Sequence, residues 1–545
     1  MPKAATAGQG RIRGSERSNT SRSGGRANLS VMDPETTTSL CTPWTHARQQ
    51  RAVAVLAGID ADACAPERLL AWNDVATHAA DGRSVVYWMA RAQRGSHNLA
   101  LDCAVAAARA LDLPLVVVFR RFAGPAGTEL RHVEFMLRAL PETFDDCIAR
   151  GAHVLFVEQD GVPIVELLAR DGALRPALVI TDDDVMAGAR RGREHVANSI
   201  SAPLISVDAD VVVPGACFPR QEYAARTLRP RLHRVLAQFD GELGHGLDGP
   251  TAPAHPVPAA ALQLAGVHLA PAIPALDDLL AHARAAGTPD GASLLTSAPS
   301  GTRAARARLE AFVNEELHGY AARRNRPELD GTSHISPFVH FGQVAPHEVL
   351  ATVRAAEAPA VDIDTFVEEF VVRRELAYNF VRWNPHAHEL EGAPEWARRS
   401  LATHAADPRE WLWNEDDLAA GTTHDPLWNA AQHQMVETGS MHGYLRMYWA
   451  KKLLEWRPDA AGAFELALRF NDRWSLDGRD PNGVTGVAWA IGGVHDRPWH
   501  EREIFGQVRF MSLASTGRKF DSKAYIARWN GANGAAVPGR GISLF

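Results

Sequence analysis

The most conspicuous chemistry-bearing residues of this chain are its tryptophans: fourteen stand against seven tyrosines, and many of them follow position 380. Trp449 and Trp456 lie seven residues apart in GYLRMYWAKKLLEW. On a helix they share one face, about 10 Å apart along the axis. Indoles so placed suit stepwise electron hopping, although core packing is the commoner use of such a pair. Trp489, in VAWAIGG, has small neighbours that leave room for a flat ring against its face. Base stacking on such a face contributes about 1–3 kcal/mol per base. Arg446 sits inside the same apolar run as Trp449, where an unpaired guanidinium is costly, so an acidic partner is expected. An ordinary ion pair on a helix surface would serve equally. In TSHISPFVHFG, the hydroxyls of Thr332, Ser333 and Ser336 precede a helix-compatible run whose Pro337 suits a first turn. With the backbone N–H groups there they can cradle a diphosphate, or simply cap the helix. Asn471, in RFNDRW, reads by itself as a cap or turn residue.

Other chemistries are disfavoured. Cys41, Cys64, Cys103, Cys147 and Cys217 stand singly, without a CxxC or a close Cys/His pairing. His424, His442 and His495 fit no metal spacing, so no metal is expected. The first strand-like run is followed by ARAQRGSHN, which has no GxGxxG, and this argues against a nicotinamide site. A net charge of -7 argues against indiscriminate coating of nucleic acid while leaving room for a local basic face. No stretch approaches the roughly 18 apolar residues of a membrane span, and the N-terminus lacks a secretory apolar core. A cytoplasmic protein is expected, nucleoid-associated if bacterial.

The elements that must position these groups follow from length and patterning. A chain of 545 residues exceeds one hydrophobic core, so two folded domains are expected. Residues 1–45, rich in Ser, Gly, Thr and Arg, read as a disordered tail whose Arg11, Arg13, Arg17, Arg22 and Arg26 could touch phosphates. Over 46–238, the runs SVVYWM (84–89), LVVVF (115–119), HVLFVE (153–158), ALVIT (177–181) and PLISVD (203–208) alternate with helix-length segments. That alternation predicts an α/β domain with a doubly wound, Rossmann-like parallel sheet. Residues 239–300 are loaded with Ala, Pro and Gly and read as an irregular connector. From 301 to 545 nearly everything reads as helix, including 303–313, 366–383 and 443–456, so the second domain is expected to be all-α.

Several long segments, in order, carry a family likeness. HDPLWNAAQHQMVETGSMHGYLRMYWAKKLLEW (His424 to Trp456) closely resembles the core of the class II cyclobutane pyrimidine dimer photolyases. LDGRDPNGVTGVAWAIGGVHDRPWHEREIFGQVRFM (476–511) is similar to the stretch that follows in that family, and TSHISPFVHFG (332–342) resembles its flavin diphosphate loop. With VVYWMARAQR near the start, the likeness spans roughly 84–525.

The resemblance implies an FAD held by Tyr320, Thr332, Ser333, His334, Ile335, Ser336 and Gly478. It pairs Arg446 with Asp477 beside the isoalloxazine ring, favouring a reduced, anionic flavin, and sets the neutral amide of Asn471 toward flavin N5. It adds Trp428 to Trp449 and Trp456 as a relay from flavin to surface. Trp489 becomes the dimer-stacking ring beside Met447, with Glu369 at the pyrimidine edge. Arg373, Arg374, Arg497 and Arg509 become DNA-side residues, in a region that also offers Arg502, Arg518, Lys519 and Lys523.

Photolyases are among the enzymes that extrude their target nucleotides, so a flipped-out dimer in double- or single-stranded DNA is the implied substrate. Excited, fully reduced FAD would give it one electron, the ring would split, and the electron would return. An antenna chromophore, a deazaflavin being the family's usual one, would sit in the α/β domain at the carboxyl ends of the strands. A monomer without an obligate protein partner is expected. A cryptochrome-type photoreceptor would share fold and FAD but usually has a long C-terminal extension, whereas this chain ends about twenty residues after its last basic cluster. A (6-4) photoproduct photolyase would share the mechanism but carry a different core text. A flavoprotein without light chemistry is the remaining class.

Overall fold

The structure is a computed structural model and describes residues 45–59, 64–121, 127–291, 295 and 298–530. The N-terminal tail and its arginines, together with Cys41, lie outside the described residues; Thr45 accepts a hydrogen bond from Arg48 N and caps the helix His46–Val55.

Seven strands form one sheet: β1 (Leu69–Ala71), β2 (Ser84–Met89), β3 (Leu115–Arg120), β4 (His153–Val157), β5 (Pro176–Asp182), β6 (Leu204–Val207) and β7 (Val267–Leu269). The order is β1-β6-β5-β2-β3-β4-β7. The five central strands are parallel, in register from Val85 opposite Leu115 and Val116 opposite His153. They read as continuous apolar runs because both faces are covered. Along β2, Val85, Tyr87 and Met89 enter one core while Val86 and Trp88 enter the other. The doubly wound sheet is therefore present as expected, with two antiparallel edge strands added.

Those edges are what the sequence hides. β1 and β7 have three residues each and pair with β6 and β4. β7 and the helix Leu276–Ala285 fall inside 239–300, so that stretch is not irregular throughout. Pro and Gly interrupt it, yet Gly266 at φ +66° turns the chain into β7.

From Thr302 onward the described elements are helices, including Thr302–Ala311, Ser336–His340, Ala360–Val367, Arg374–Trp383, Pro426–Thr438, Gly443–Trp456, Ala460–Trp474 and Pro481–Gly492. The expected helix over 303–313 runs on into a π-helical turn, Phe312–Glu316, and that over 366–383 contains one, Glu368–Arg373. Wide turns of this kind recur at functional sites. Among the described residues no helix is long and apolar enough to cross a membrane.

Sheet and helices meet through buried charge at the carboxyl ends of β2, β5 and β6. Asp182 accepts from the backbone N–H groups of Ala90, Arg91 and Ala92 and from the Tyr87 hydroxyl. Arg91 lies 2.7 Å from Asp210 and 2.5 Å from Asp480, and Arg382 lies 3.0 Å from Asp183 and 2.9 Å from Asp208. Burial alone would raise the Asp480 carboxyl, but the His340 hydrogen bond and the Arg91 guanidinium hold it well below the usual range. β2 and β5 flank the point where the winding reverses, the crevice in which such sheets take ligands. Here buried ion pairs occupy it at β2, β5 and β6. Gly342, at φ +66°, lets the helical layer come close: a Cβ there would fall 1.9 Å from the Arg91 carbonyl oxygen.

Candidate functional site

Four residues from three separate stretches of the sequence converge. Ser336 Oγ donates to Asp477 Oδ2 at 2.8 Å, and Asp477 Oδ1 lies 3.2 Å from Arg446 Nη2. Arg446 Nη1 donates to Asn471 Oδ1 at 3.4 Å, while Asn471 Nδ2 donates to Asp472 at 3.0 Å. The expected acidic partner of Arg446 is thus Asp477. Asn471 is fully buried and is neither a helix cap nor a turn; it lies within the helix Ala460–Trp474. Its amide is confined, since a Cβ on Gly483 would fall 2.6 Å from Nδ2. Gly478 serves a close backbone approach, where a Cβ would meet Asn471 O at 2.9 Å.

Around this cluster, Arg308 Nε donates to Ser333 O at 2.8 Å and fixes the loop that carries Thr332, Ser333 and His334. His334 adopts φ +52° with Nε2 3.0 Å from Asp330. No side-chain cap forms at the start of Ser336–His340, so the hydroxyls of 332–336 are not used for capping. Ile335 and Tyr320 are buried; Tyr320 meets Phe312 edge-on at 5.7 Å. Two buried polar atoms on the neighbouring helix, Arg446 Nε and Tyr444 Oη, have no hydrogen-bond partner among the described residues. Buried donors are ordinarily satisfied, so these atoms, the loop hydroxyls and the Asn471 amide suit a polar, anionic cofactor such as FAD.

The tryptophans form a stack whose order the sequence does not reveal. Trp428 lies between the other two, parallel to Trp449 at 6.2 Å and edge-on to Trp456 at 5.4 Å. Trp428 Nε1 donates to Trp449 O, and Trp449 Nε1 to Gln432. All three rings are buried, so Trp428 does not carry the chain to the surface; it is the middle member. Trp449 is one helical turn from Arg446, which anchors one end of the stack beside the polar cluster.

On the outer side, Trp489 and Met447 are half-buried and pack against the same core. Lys451 Nζ lies 4.9 Å from the Trp489 ring centre and donates to Ala490 O; burial pushes its pKa down to about 7. Arg509 lies over both Trp489 (5.8 Å) and the half-exposed Trp499 (4.8 Å), and Arg497 lies 5.4 Å over Trp499. Interleaved aromatic and guanidinium groups of this kind suit nucleic acid. Glu369 lies 2.9 Å from Arg324, whose buried Nε has no hydrogen-bond partner among the described residues, and Arg373 pairs with Glu368 at 3.0 Å. Arg502, Arg518, Lys519 and Lys523 are exposed.

Arg374 is a correction. It is only 8% exposed, donates to Asp210 O at 2.5 Å and Tyr378 Oη at 3.0 Å, and stacks on the Tyr378 ring. It ties helix to sheet rather than facing DNA, because its helix position points to the other layer. Lys451, Arg324 and Trp499 were missed; the basic run ARRNR and the Trp at 499 were their visible signals. His442 caps Gly443–Trp456 and the half-buried His495 meets Phe380 edge-on at 5.7 Å, each with a pKa pushed down to about 4 by desolvation.

Comparison with known proteins adds an independent line. The DNA photolyase family model matches residues 85–259. The deoxyribodipyrimidine photo-lyase of Methanothermobacter thermautotrophicus is 37% identical over 451 residues, covering 83% of this chain and 95% of the relative. That of Potorous tridactylus is 37% identical, covering 81% and 80%. An archaeal photolyase from Sulfolobus tokodaii, solved with two FAD molecules, superposes with a TM-score of 0.57 at 16% identity, covering 82% of this chain and 90% of that one.

Proposed function

The chain belongs to the DNA photolyase family, with the activity of a deoxyribodipyrimidine photo-lyase, and from that premise we propose how its own residues divide the work. Bound FAD supplies light absorption and the electron that opens the cyclobutane ring of a pyrimidine dimer in DNA and then returns. The convergence of Ser336, Asp477, Arg446 and Asn471 carries the reading: these residues hold the flavin, with the guanidinium stabilising negative charge and the confined amide adding a hydrogen bond without charge. Arg446 thereby favours the reduced anion. Tyr320 and the 332–336 loop hold the remainder of the cofactor.

Trp489 stacks on the extruded dimer with Met447 beside it, and Glu369, steered by Arg324, hydrogen-bonds the pyrimidine edge. Arg373, Arg497 and Arg509 take flanking phosphates. Trp449, Trp428 and Trp456 pass electrons inward. The class II assignment rests on the segments around 332–342, 424–456 and 476–511. We assign residues 46–238 to the antenna domain and 301–545 to the catalytic domain, joined by 239–300, in a cytoplasmic monomer. A second chromophore, a deazaflavin by family habit, fits the carboxyl end of β3: Arg121 there is 1% exposed and neither Nη atom has a hydrogen-bond partner among the described residues.

Irradiating the purified, flavin-loaded protein with ultraviolet-damaged DNA under blue light tests the reading. Dimers should disappear, and persistence with fully reduced flavin bound refutes it. Replacing Trp456 should slow flavin photoreduction yet spare repair by prereduced enzyme, whereas replacing Trp489 should weaken dimer binding.

A further inference from the structure

The three buried tryptophans cannot by themselves exchange electrons with solution, because none is more than 1% exposed. The aromatic contacts continue beyond them. His424 meets Trp456 edge-on at 5.2 Å. On its other side, Trp411 stacks on His424 at 4.5 Å and Trp413 at 5.9 Å, and those two indoles are themselves nearly parallel at 6.2 Å. Trp411 is 43% exposed.

Proton placement distinguishes the two ends. An indole that loses an electron becomes far more acidic at its N–H, enough to give its proton to a nearby imidazole. Trp456 Nε1 is buried with no hydrogen-bond partner among the described residues, so an oxidised Trp456 keeps its proton and remains a good acceptor for the next electron. Trp413 Nε1 instead donates to His424 Nδ1 at 3.3 Å, so an oxidised Trp413 has a base in place.

We propose that Trp411, Trp413 and His424 form the exit station of the electron relay, where a small dissolved one-electron reductant such as ascorbate discharges. The inference rests on the relay reading of Trp449, Trp428 and Trp456. In sequence, Trp449 gives one electron inward to the flavin, and Trp428 and then Trp456 each refill the ring before it. Trp413 supplies the electron to Trp456 across His424, which acts as a bridge because imidazole is harder to oxidise than indole. The oxidised Trp413 passes its Nε1 proton to His424, leaving a neutral indolyl radical and an imidazolium. Ascorbate gives one electron to the indole pair at the exposed Trp411, becoming its own one-electron oxidised form, and the proton returns from His424. Net, one electron moves from ascorbate to flavin and the protein is unchanged.

Flash photolysis of the oxidised holoprotein tests this, with the decay of the tryptophanyl radical followed against ascorbate concentration. Trp411→Phe and Trp413→Phe should lower the second-order rate of radical quenching several-fold, and His424→Phe should prolong the protonated radical cation while preserving a ring in the stack. Leu412→Ala, at a still more exposed loop position, should leave the rate unchanged. A Trp411→Phe/Trp413→Phe double variant that quenches at the parent rate overturns the exit station, provided Trp428→Phe abolishes the long-lived radical. A Trp428→Phe protein that forms the radical normally overturns the relay reading itself. Repair by prereduced enzyme confirms that each variant is folded.

Discussion

Glu375 offers the sharpest test of how the two layers are joined. It lies in Arg374–Trp383, is 3% exposed, and accepts hydrogen bonds from Val212 N at 2.7 Å and Val213 N at 3.2 Å, just past β6. Burial raises its carboxyl from the ordinary 4.5 to about 8, against the lowering effect of the Val213 and Val212 N–H groups and Arg374. At about 1.4 kcal/mol per pH unit, that gap corresponds to about 5 kcal/mol of folding free energy. The folded state holds the proton more tightly than the unfolded chain. The contribution is therefore complete below pH 4.5 and is lost progressively as pH rises through about 8.

Glu375→Gln keeps an acceptor for the two N–H groups and removes the titration. At pH 5 the parent and the variant should have similar denaturant midpoints; by pH 9 the variant should be the more stable by up to about 5 kcal/mol. Urea unfolding of both proteins at half-unit steps from pH 5 to 9, fitted with a common slope, measures the difference. Parallel stability curves across that range would show that the carboxylate is ionised in the fold at neutral pH, and would refute the burial argument.

Three further outcomes follow from named contacts. Asp477→Asn removes the charge partner of Arg446, and a charge-assisted hydrogen bond contributes about 1.5–3 kcal/mol, so flavin release measured by fluorescence should become at least tenfold easier. Trp489→Ala should weaken binding to a dimer-containing oligonucleotide by about 1–3 kcal/mol, with little change for undamaged DNA in the same titration. Gly342→Ala must place a Cβ against the Arg91 carbonyl at positive φ, so thermal unfolding should show a loss exceeding the roughly 1–2 kcal/mol of a left-handed residue alone; an unchanged melting temperature would show that the layers can separate there at no cost.

The legibility of this chain was uneven for physical reasons. The central strands were readable because a strand covered on both faces is a continuous apolar run, as in LVVVF. β1 and β7 were not, since three-residue edge strands are defined by a partner rather than by their own pattern. The helix Gly443–Trp456 ends where its sequence suggests, because a run of residues buried on nearly every side, Tyr448 to Leu454 and Trp456, carries it to its last turn. Arg374 was misplaced because a basic residue on a helix looks the same whether its face meets water or another layer. Trp449 and Trp456 were rightly placed on one helix, yet the contact between them runs through Trp428 of a different helix.

The sequence by itself determined the parallel sheet, the helical second half, and the identities of Arg446, Asn471, Asp477 and Ser336 as residues of interest. These are consequences of local periodicity and of long ordered segments. Only the tertiary structure decided that those four polar groups share one network, that the sheet's own crevice is closed by Asp182 and Arg91, and that the tryptophan stack reaches solvent through His424 and Trp411. Each is a contact between residues tens to hundreds of positions apart or a matter of which way a ring faces. Spacing along the chain does not encode such contacts; the packing of whole elements does.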